Sequence, residues 1–220
     1  MHRLMLTSSA YRQSSAMPPD RAAADPDNVL VSRMPLVRLD AEALYDTLLV
    51  AAGRLDEQPY GPADVVQVRA DGLVTPSGTD RGWRRLIYVQ QTRKQVPTHL
   101  ETFDFPQMNP NCIERRDSTV APQALYLLNN GMVDRLAGEF AERVRREAGA
   151  EPAAQVERTY WIALSRGPSK EECAFGVAAL SRLSEQWRTE GRLGDAAARQ
   201  KALSTYCHAV VNSAGFLYVD

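Results

Sequence analysis

The sequence has few cysteines, and their spacing excludes several kinds of site. Its three cysteines, Cys112, Cys173 and Cys207, include no C-x-x-C pair. Within these 220 residues the spacing excludes a zinc ribbon, a thioredoxin-like redox pair and a c-type haem attachment motif. Because an odd number of cysteines cannot all pair with one another, cysteine usage does not identify the redox compartment.

Long apolar runs and an excess of charge of either sign are also absent. No run of about 18 apolar residues occurs, so the sequence predicts no membrane span. The formal net charge of −1 gives no electrostatic basis for binding nucleic acid or an anionic membrane surface. Hydrophobic residues make up 44% and charged residues 24%, which is ordinary for a globular protein with a sizeable core.

The first 15 residues, MHRLMLTSSAYRQSS, lack the basic start and the apolar stretch of an export signal. Leu4, Leu6 and Tyr11 instead have the spacing of a helix that has no start signal. We therefore expect Met1 to lie inside a domain whose earlier part is missing, with a short native helix as the alternative. The truncation predicts an exposed apolar patch at residues 1–15, where the missing part would dock.

The N-terminal half is predicted to be irregular. Residues 16–38 contain four prolines among charged residues, which indicates an extended connector. Asp40 then caps a predicted helix. Residues 65–74, with Asp71-Gly72 at the turn, predict one small β-hairpin. Residues 84–91 form either a third strand or a helix, since periodicity does not decide so short an apolar run.

The most distinctive stretch is residues 102–130, TFDFPQMNPNCIERRDSTVAPQALYLLNN. Its prolines and asparagines predict a loop as far as Ser118. Ser118 or Thr119 then begins a helix with Pro122 in its first turn. Proline is tolerated there because the first amides of a helix have no partner within it. This capping role explains Ser118 without any catalytic function.

Further helices follow, and short loops between them predict antiparallel neighbours. The sequence therefore predicts a mainly α protein. Residues 118–220 form a bundle of four or five helices, and residues 1–117 form the irregular part with the hairpin. The signals are the stripe Val133, Leu136, Ala137, Phe140, Ala141 and Val144, a start at Pro152, a Ser169–Glu172 capping box, the stripe Cys173, Val177, Leu180, Leu183 and Trp187, and a last helix at residues 195–213.

Five segments together resemble a known family. They are HRLMLTSSAYRQSS, ADPDNVLVSRM, RLDAEALYDTLL, residues 102–130 and the closing CHAVVNSAGFLYVD. They look like the C-terminal domain of large planctomycete-type proteins, domain of unknown function 1553. Such proteins typically combine an export signal, a c-type cytochrome domain and two domains of unknown function. The resemblance implies an extracytoplasmic setting, with haem c only in the missing N-terminal domain, and it supplies no catalytic residues.

The candidate site is the polar content of the loop at residues 99–117. Arg115 and Arg116 could hold a carboxylate, sulfate or phosphate by forked hydrogen bonds, and the helix start after them would add amide donors. With His99 and Asp104 they predict a site for an anionic small molecule or polysaccharide. The preferred alternative is that one arginine pairs with Asp104 or Asp117 and pins the loop on the bundle.

His99 with Glu101 and Asp104 also has the composition of an acid/base or metal set, but a structural histidine is the preferred interpretation. We predict no metal and no cofactor in this chain. Two functions remain. One is a non-catalytic structural or binding module that packs on the missing N-terminal domains of an exported, cytochrome-c-linked protein. The other is an anion-binding or hydrolase-like domain, which requires the four residues to converge in one concave pocket.

Overall fold

The computed structural model describes residues 1–16, 18–106, 115 and 118–219, and this part is mainly helical, which confirms the predicted fold class. No helix in these ranges is long and apolar enough to cross a membrane. The helices are α1 (His2–Leu6), α2 (Pro19–Ala24), α3 (Ala41–Ala52), α4 (Thr98–Thr102), α5 (Ala121–Asn129), α6 (Gly131–Ala148), α7 (Pro152–Leu164), α8 (Lys170–Thr189), α9 (Asp195–Val211) and α10 (Ala214–Leu217). The strands are β1 (Val37–Arg38), β2 (Leu55–Asp56), β3 (Val66–Val68), β4 (Val74–Pro76), β5 (Trp83–Arg84) and β6 (Tyr218–Val219).

Helix α6 occupies the middle of the C-terminal bundle. It packs against α3, α7 and α9, and α8 packs on α7 and α9. Asn130 begins α6 by accepting hydrogen bonds from the amides of Met132 and Val133. All six residues of the predicted α6 stripe are buried, which confirms that helix and its orientation: Val133, Leu136, Ala137, Phe140, Ala141 and Val144.

Helix α3 extends the hydrophobic core into the N-terminal half of the chain. Asp40 caps it as predicted, with Oδ1 accepting from the Ala43 amide at 2.7 Å, and Gly53 ends it in the left-handed conformation at φ 68°. Leu44 and Leu49 of α3 are fully buried. They belong to one hydrophobic cluster that runs from Ala41 to Phe216, so the core crosses the predicted domain boundary at residues 117 and 118 without a break.

The strands are short and pair in twos. The predicted hairpin is confirmed, because β3 and β4 are antiparallel with Val66 opposite Pro76. Strand β5 pairs in parallel with β2, and residues 86–88 then form a 3-10 turn. The amide of Leu86 donates to Asp46 Oδ1 at 2.8 Å, and this contact with α3 turns the chain away from a longer strand or helix. Strand β1 pairs with β6, which joins residues 37–38 to residues 218–219.

Four local predictions are wrong in whole or in part. Residues 98–102 form α4 where a loop was predicted, and residues 16–38 include α2 and a tight turn rather than only an extended connector. Helix α5 begins at Ala121, not at Ser118 or Thr119. The amide of Val120, the residue just before the helix, donates to Gln123 Oε1 at 3.3 Å. Of the predicted α8 stripe, only Leu180 is fully buried.

The two cysteines in the described part are both free thiols. Cys173 is half-buried and Cys207 is buried in α9, and burial raises the pKa of the Cys207 thiol to about 12. A thiol that stays protonated is a poor nucleophile, so Cys207 packs as an apolar group. Cys112 lies outside the described residues.

Candidate functional site

Asp104 is the most heavily bonded side chain of the predicted site. Its Oδ2 accepts from Arg38 Nη2 at 2.7 Å and from the Ser118 amide at 2.8 Å. Its Oδ1 accepts from the Ser118 hydroxyl at 2.7 Å, and Gln123 Nε2 lies 3.2 Å from Oδ2. We call these four residues the Asp104 joint, because they tie β1, the end of α4 and the start of α5 to one carboxylate.

The Asp104 joint favours an ionised carboxylate. Burial raises the pKa of Asp104, but the hydrogen bonds from Ser118, the charge of Arg38 and the bond from Gln123 together outweigh burial and lower it. The Arg38 side chain is only 4% exposed. A carboxylate that is charged and engaged on several sides is neither a proton donor near neutral pH nor a partner for a bound anion. Asp104 therefore acts here as an internal counter-ion.

His99 lies inside the core rather than at a surface. Its Nε2 is 2.7 Å from the carbonyl oxygen of Ala41, and because a carbonyl only accepts, Nε2 carries the proton. The rings of Tyr45, Phe103 and Tyr126 surround it, with centroids within 5.8 Å. Burial lowers the pKa of His99 to about 4 against the opposing effect of the Ala41 hydrogen bond. His99 is thus a neutral structural histidine that fixes α4 on the start of α3.

Arg115 binds the first turn of α3 by a forked ion pair. Its Nη1 and Nη2 donate to Glu42 Oε1 and Oε2 at 3.2 Å and 2.6 Å, and Nη1 is also 3.8 Å from Asp40. Its guanidinium carbon lies 5.8 Å from the centroid of the Phe105 ring. The forked hydrogen bonds that were predicted for an external anion are made here to the Glu42 carboxylate of the same chain.

The structure therefore gives His99, Asp104 and Arg115 separate hydrogen-bond partners. The histidine holds α4, the aspartate holds the start of α5, and the arginine holds α3. Arg116 lies outside the described residues. The anion-binding role stays a prediction, and the described groups of this loop already bind other parts of the chain.

Sequence reasoning missed Arg38 and Glu42, which complete the two ion pairs. Arg38 is 66 residues from Asp104, and Glu42 is 73 residues from Arg115. No spacing rule links residues so far apart, and neither residue stands in a recognisable motif. The sequence did offer a general signal, because arginines and acids occur near the capped start of α3. It did not indicate which arginine would pair with which acid.

A second feature is the apolar surface of the N-terminal segment. Ten of the 21 large hydrophobic side chains that are exposed in the described residues lie within residues 1–37, about a sixth of the chain. Helix α1 buries no residue. We call this set the N-terminal apolar surface, and the predicted exposure of Leu4, Leu6 and Tyr11 is confirmed. Its members are Met1, Leu4, Met5, Leu6, Tyr11, Val29, Leu30, Val31, Leu36 and Val37.

Three of these residues lie on a tight turn at residues 25–33, which we call the Asp25 turn. Asp25 is buried, and its two oxygens accept from the amides of Val29 at 2.8 Å and Leu30 at 3.2 Å. The Ser32 hydroxyl donates to the same carboxylate at 2.9 Å. Arg33 donates to the carbonyl oxygen of Asp25 at 2.9 Å. Hydrogen bonds to Asp25 thus fix the inside of the turn, while the apolar side chains of Val29 and Leu30 stand exposed at its tip.

The backbone of the Asp25 turn is unusual for its residue types. Asn28 and Val31 have φ values of 55° and 53°. Asparagine tolerates this left-handed region, but a β-branched valine rarely adopts it. The Asn28 side chain accepts from the Arg33 amide at 3.2 Å and donates to its carbonyl oxygen at 3.0 Å, which stabilises the turn. As a result, Val29 and Leu30 are each 77% exposed in a fixed conformation.

The residues that the structure describes form no cluster of side chains with the composition of a metal site. No group of three or more His, Cys, Asp or Glu side chains there could hold a metal ion. The acidic side chains of the Asp104 joint and the Asp25 turn accept hydrogen bonds from amides, hydroxyls and guanidinium groups instead.

Comparison with known proteins identifies one family. The family model described as PSD1, protein of unknown function (DUF1553), matches residues 1–180. This range includes the N-terminal apolar surface and the Asp104 joint, and it ends within α8. No curated protein and no solved structure matches the chain.

Proposed function

Since the chain belongs to the DUF1553 family, whose description names no activity, we propose its function from its surfaces: it is a non-catalytic binding module of an exported, cytochrome-c-linked multidomain protein. The N-terminal apolar surface is the observation that carries this proposal. Its partner is a companion domain of that same kind of protein, the setting that the family resemblance implies.

The energetic argument concerns apolar area that the described chain leaves in water. Full burial of one valine or leucine side chain stabilises a complex by roughly 1.5 to 3 kcal/mol. Val29, Leu30 and Val31 stand together at the tip of the Asp25 turn, so one protein surface can cover all three. Contiguous exposed apolar residues are typical of protein interaction sites.

The Asp25 turn also lowers the entropic cost of binding. Loops that become ordered only on binding lose affinity through that ordering. Here the Asp25 carboxylate and the Asn28 side chain already hold the backbone amides and carbonyl oxygens of the turn. The strained φ of Val31 is the kind of feature that is retained at ligand-contacting positions.

The residues of the predicted catalytic alternative favour the same conclusion. His99 is buried and neutral, Asp104 is bonded within its joint, and Arg115 binds Glu42. Each of these described polar groups contributes to the position of a helix. We therefore propose that the loop at residues 99–117 holds the module together while the N-terminal apolar surface makes the external contact.

Site-specific photo-cross-linking in the cells that produce the protein tests this proposal. A photoreactive residue at position 30 should form adducts with a polypeptide that carries covalent haem, identified by haem staining and by mass spectrometry of the linked peptides. The matched control is position 175, since Phe175 of α8 is 72% exposed but lies outside the N-terminal apolar surface. Equal adducts at both positions, or adducts at position 30 only to other residues within positions 1–220, would overturn it.

A further inference from the structure

Helix α5 has one side in the core and one side in water. It packs on α4 and α6, and Leu127 on its inner side is buried. The outer side is apolar, although it faces water. Leu125 and Leu128 are each more than half exposed, and the exposed side chains beside them are Ala121 and Ala124. These four residues, which we call the α5 stripe, therefore leave apolar area in contact with water.

The spacing of the α5 stripe makes it one continuous surface. Its members stand at positions i, i+3, i+4 and i+7, which places them side by side on a single helix face. That pattern is typical of the face that a helix buries, whereas the water-facing side of a helix is normally charged or polar. The sequence from Ser118 to Val133 contains no charged residue. Contiguous exposed apolar side chains of this kind are typical of protein interaction sites.

The order of residues along the α5 stripe makes it complementary to itself. When two α5 helices lie antiparallel, with a two-fold axis between residues 124 and 125, Leu128 stands level with Ala121 of the second copy. In the same register Leu125 stands level with Ala124 of the second copy. A large side chain then meets a small one at each level, so the two faces interdigitate. A two-fold interface requires a patch that fits itself, and an uncharged patch brings no like charges together.

The position of the α5 stripe is fixed before any partner arrives. The amide and hydroxyl of Ser118 donate to Asp104, and the Val120 amide donates to Gln123 within the first turn of the helix. Association therefore orders little of the backbone, which lowers its entropic cost. A helix of nine residues is only about 14 Å long, so its face buries less than the roughly 800 Å² per partner of a standard interface. The contact is accordingly weak and reversible.

We propose that the α5 stripe is an interface between two copies of this chain, which form a two-fold dimer by packing α5 antiparallel on α5. Leu125 and Leu128 of each copy fill the spaces beside Ala124 and Ala121 of the other. The burial of these leucines supplies the affinity. The interface is separate from the N-terminal apolar surface, whose proposed partner is a different domain, so neither proposal rests on the other.

Sedimentation velocity on the full chain tests the proposal, at protein concentrations from about 10 µM to about 1 mM. The monomer should convert to a dimer, and to no larger species, as the concentration rises. Leu125→Glu places like charges next to the two-fold axis and removes two leucines from the interface, so it should weaken dimerisation at least about tenfold. The matched control is Phe175→Glu, which also replaces an exposed apolar side chain on a helix but lies on α8. It should leave dimerisation unchanged.

A compensating exchange tests the antiparallel register. Leu128→Ala sets alanine against alanine and Ala121→Leu sets leucine against leucine, so each should weaken the dimer. The double variant Ala121→Leu/Leu128→Ala again pairs a large side chain with a small one, and it should restore dimerisation to within about threefold of the original chain. Thermal unfolding of each variant establishes that the fold is retained. Monomer at every concentration, equal weakening by Leu125→Glu and Phe175→Glu, or no recovery in the double variant would each overturn the proposal.

Discussion

Asp104→Asn is the substitution that most directly tests the Asp104 joint. Asn tolerates the positive φ of 62° at this position, so the backbone conformation is retained. Its side-chain oxygen still accepts a hydrogen bond from Ser118. What is removed is the negative charge that faces Arg38 Nη2 at 2.7 Å. The variant therefore isolates the ionic contribution to the joint.

Burial determines the size of the effect. The Arg38 side chain is 4% exposed, so water does not replace the carboxylate. Removing one partner of a buried ion pair costs about 3 to 5 kcal/mol. Because the Asp104 side chain is itself 23% exposed, we expect a loss at the lower end, about 3 kcal/mol. For a chain of this size, that loss lowers the melting temperature by roughly 6 to 12 °C.

The matched control is Asp71→Asn. Arg69 and Asp71 are also 2.7 Å apart, but their side chains are 61% and 56% exposed. We expect this variant to lose less than about 1 kcal/mol. Urea unfolding at neutral pH, followed by circular dichroism, measures both losses. Equal losses in the two variants would refute the reasoning, because they would show that burial does not control the strength of these pairs.

The remaining predictions concern His99 and Gly82. Because burial lowers the pKa of His99 from 6.5 to about 4, unfolded chains take up a proton across this range while folded ones do not. Stability is therefore full above pH 6.5 and falls by up to about 3 kcal/mol toward pH 4. His99→Gln keeps an N–H donor and should remove this slope in urea unfolding at several pH values; an unchanged slope contradicts it. A Cβ on Gly82 would lie 2.1 Å from the Arg54 carbonyl oxygen, so Gly82→Ala should cost more than about 2 kcal/mol. Gly72→Ala, which meets no atom within 4 Å, should cost about 1 kcal/mol, and equal melting temperatures would contradict this prediction.

The elements that the sequence predicts correctly depend on signals within one or two helical turns. The stripe from Val133 to Val144 repeats every three or four residues, which indicates both a helix and its buried face. Ser169 accepts from the Glu172 amide at 3.1 Å, and Glu172 accepts from the Ser169 amide at 2.7 Å. Such caps involve residues three apart, so a single sequence contains all the information that they require.

The errors occur where a distant group competes with a local one. Ser118 has the features of an N-cap, but its amide and hydroxyl donate to the Asp104 carboxylate. A charged acceptor binds more strongly than a neutral one, and no local pattern places Asp104 beside Ser118. In the same way, the prolines of residues 16–38 predicted an extended connector, whereas the Asp25 carboxylate organises a turn there.

The Asp104 joint and the N-terminal apolar surface are physically connected. Val37, the last residue of that surface, precedes Arg38 in β1, and β1 pairs with β6 at the other end of the chain. Arg38 reaches from β1 to Asp104, and Asp104 reaches to the start of α5. This strand pair and this ion pair are therefore two of the contacts that connect the end of the apolar surface to the rest of the fold. If the apolar surface makes the external contact that we propose, the Asp104 carboxylate helps to fix where that contact is presented.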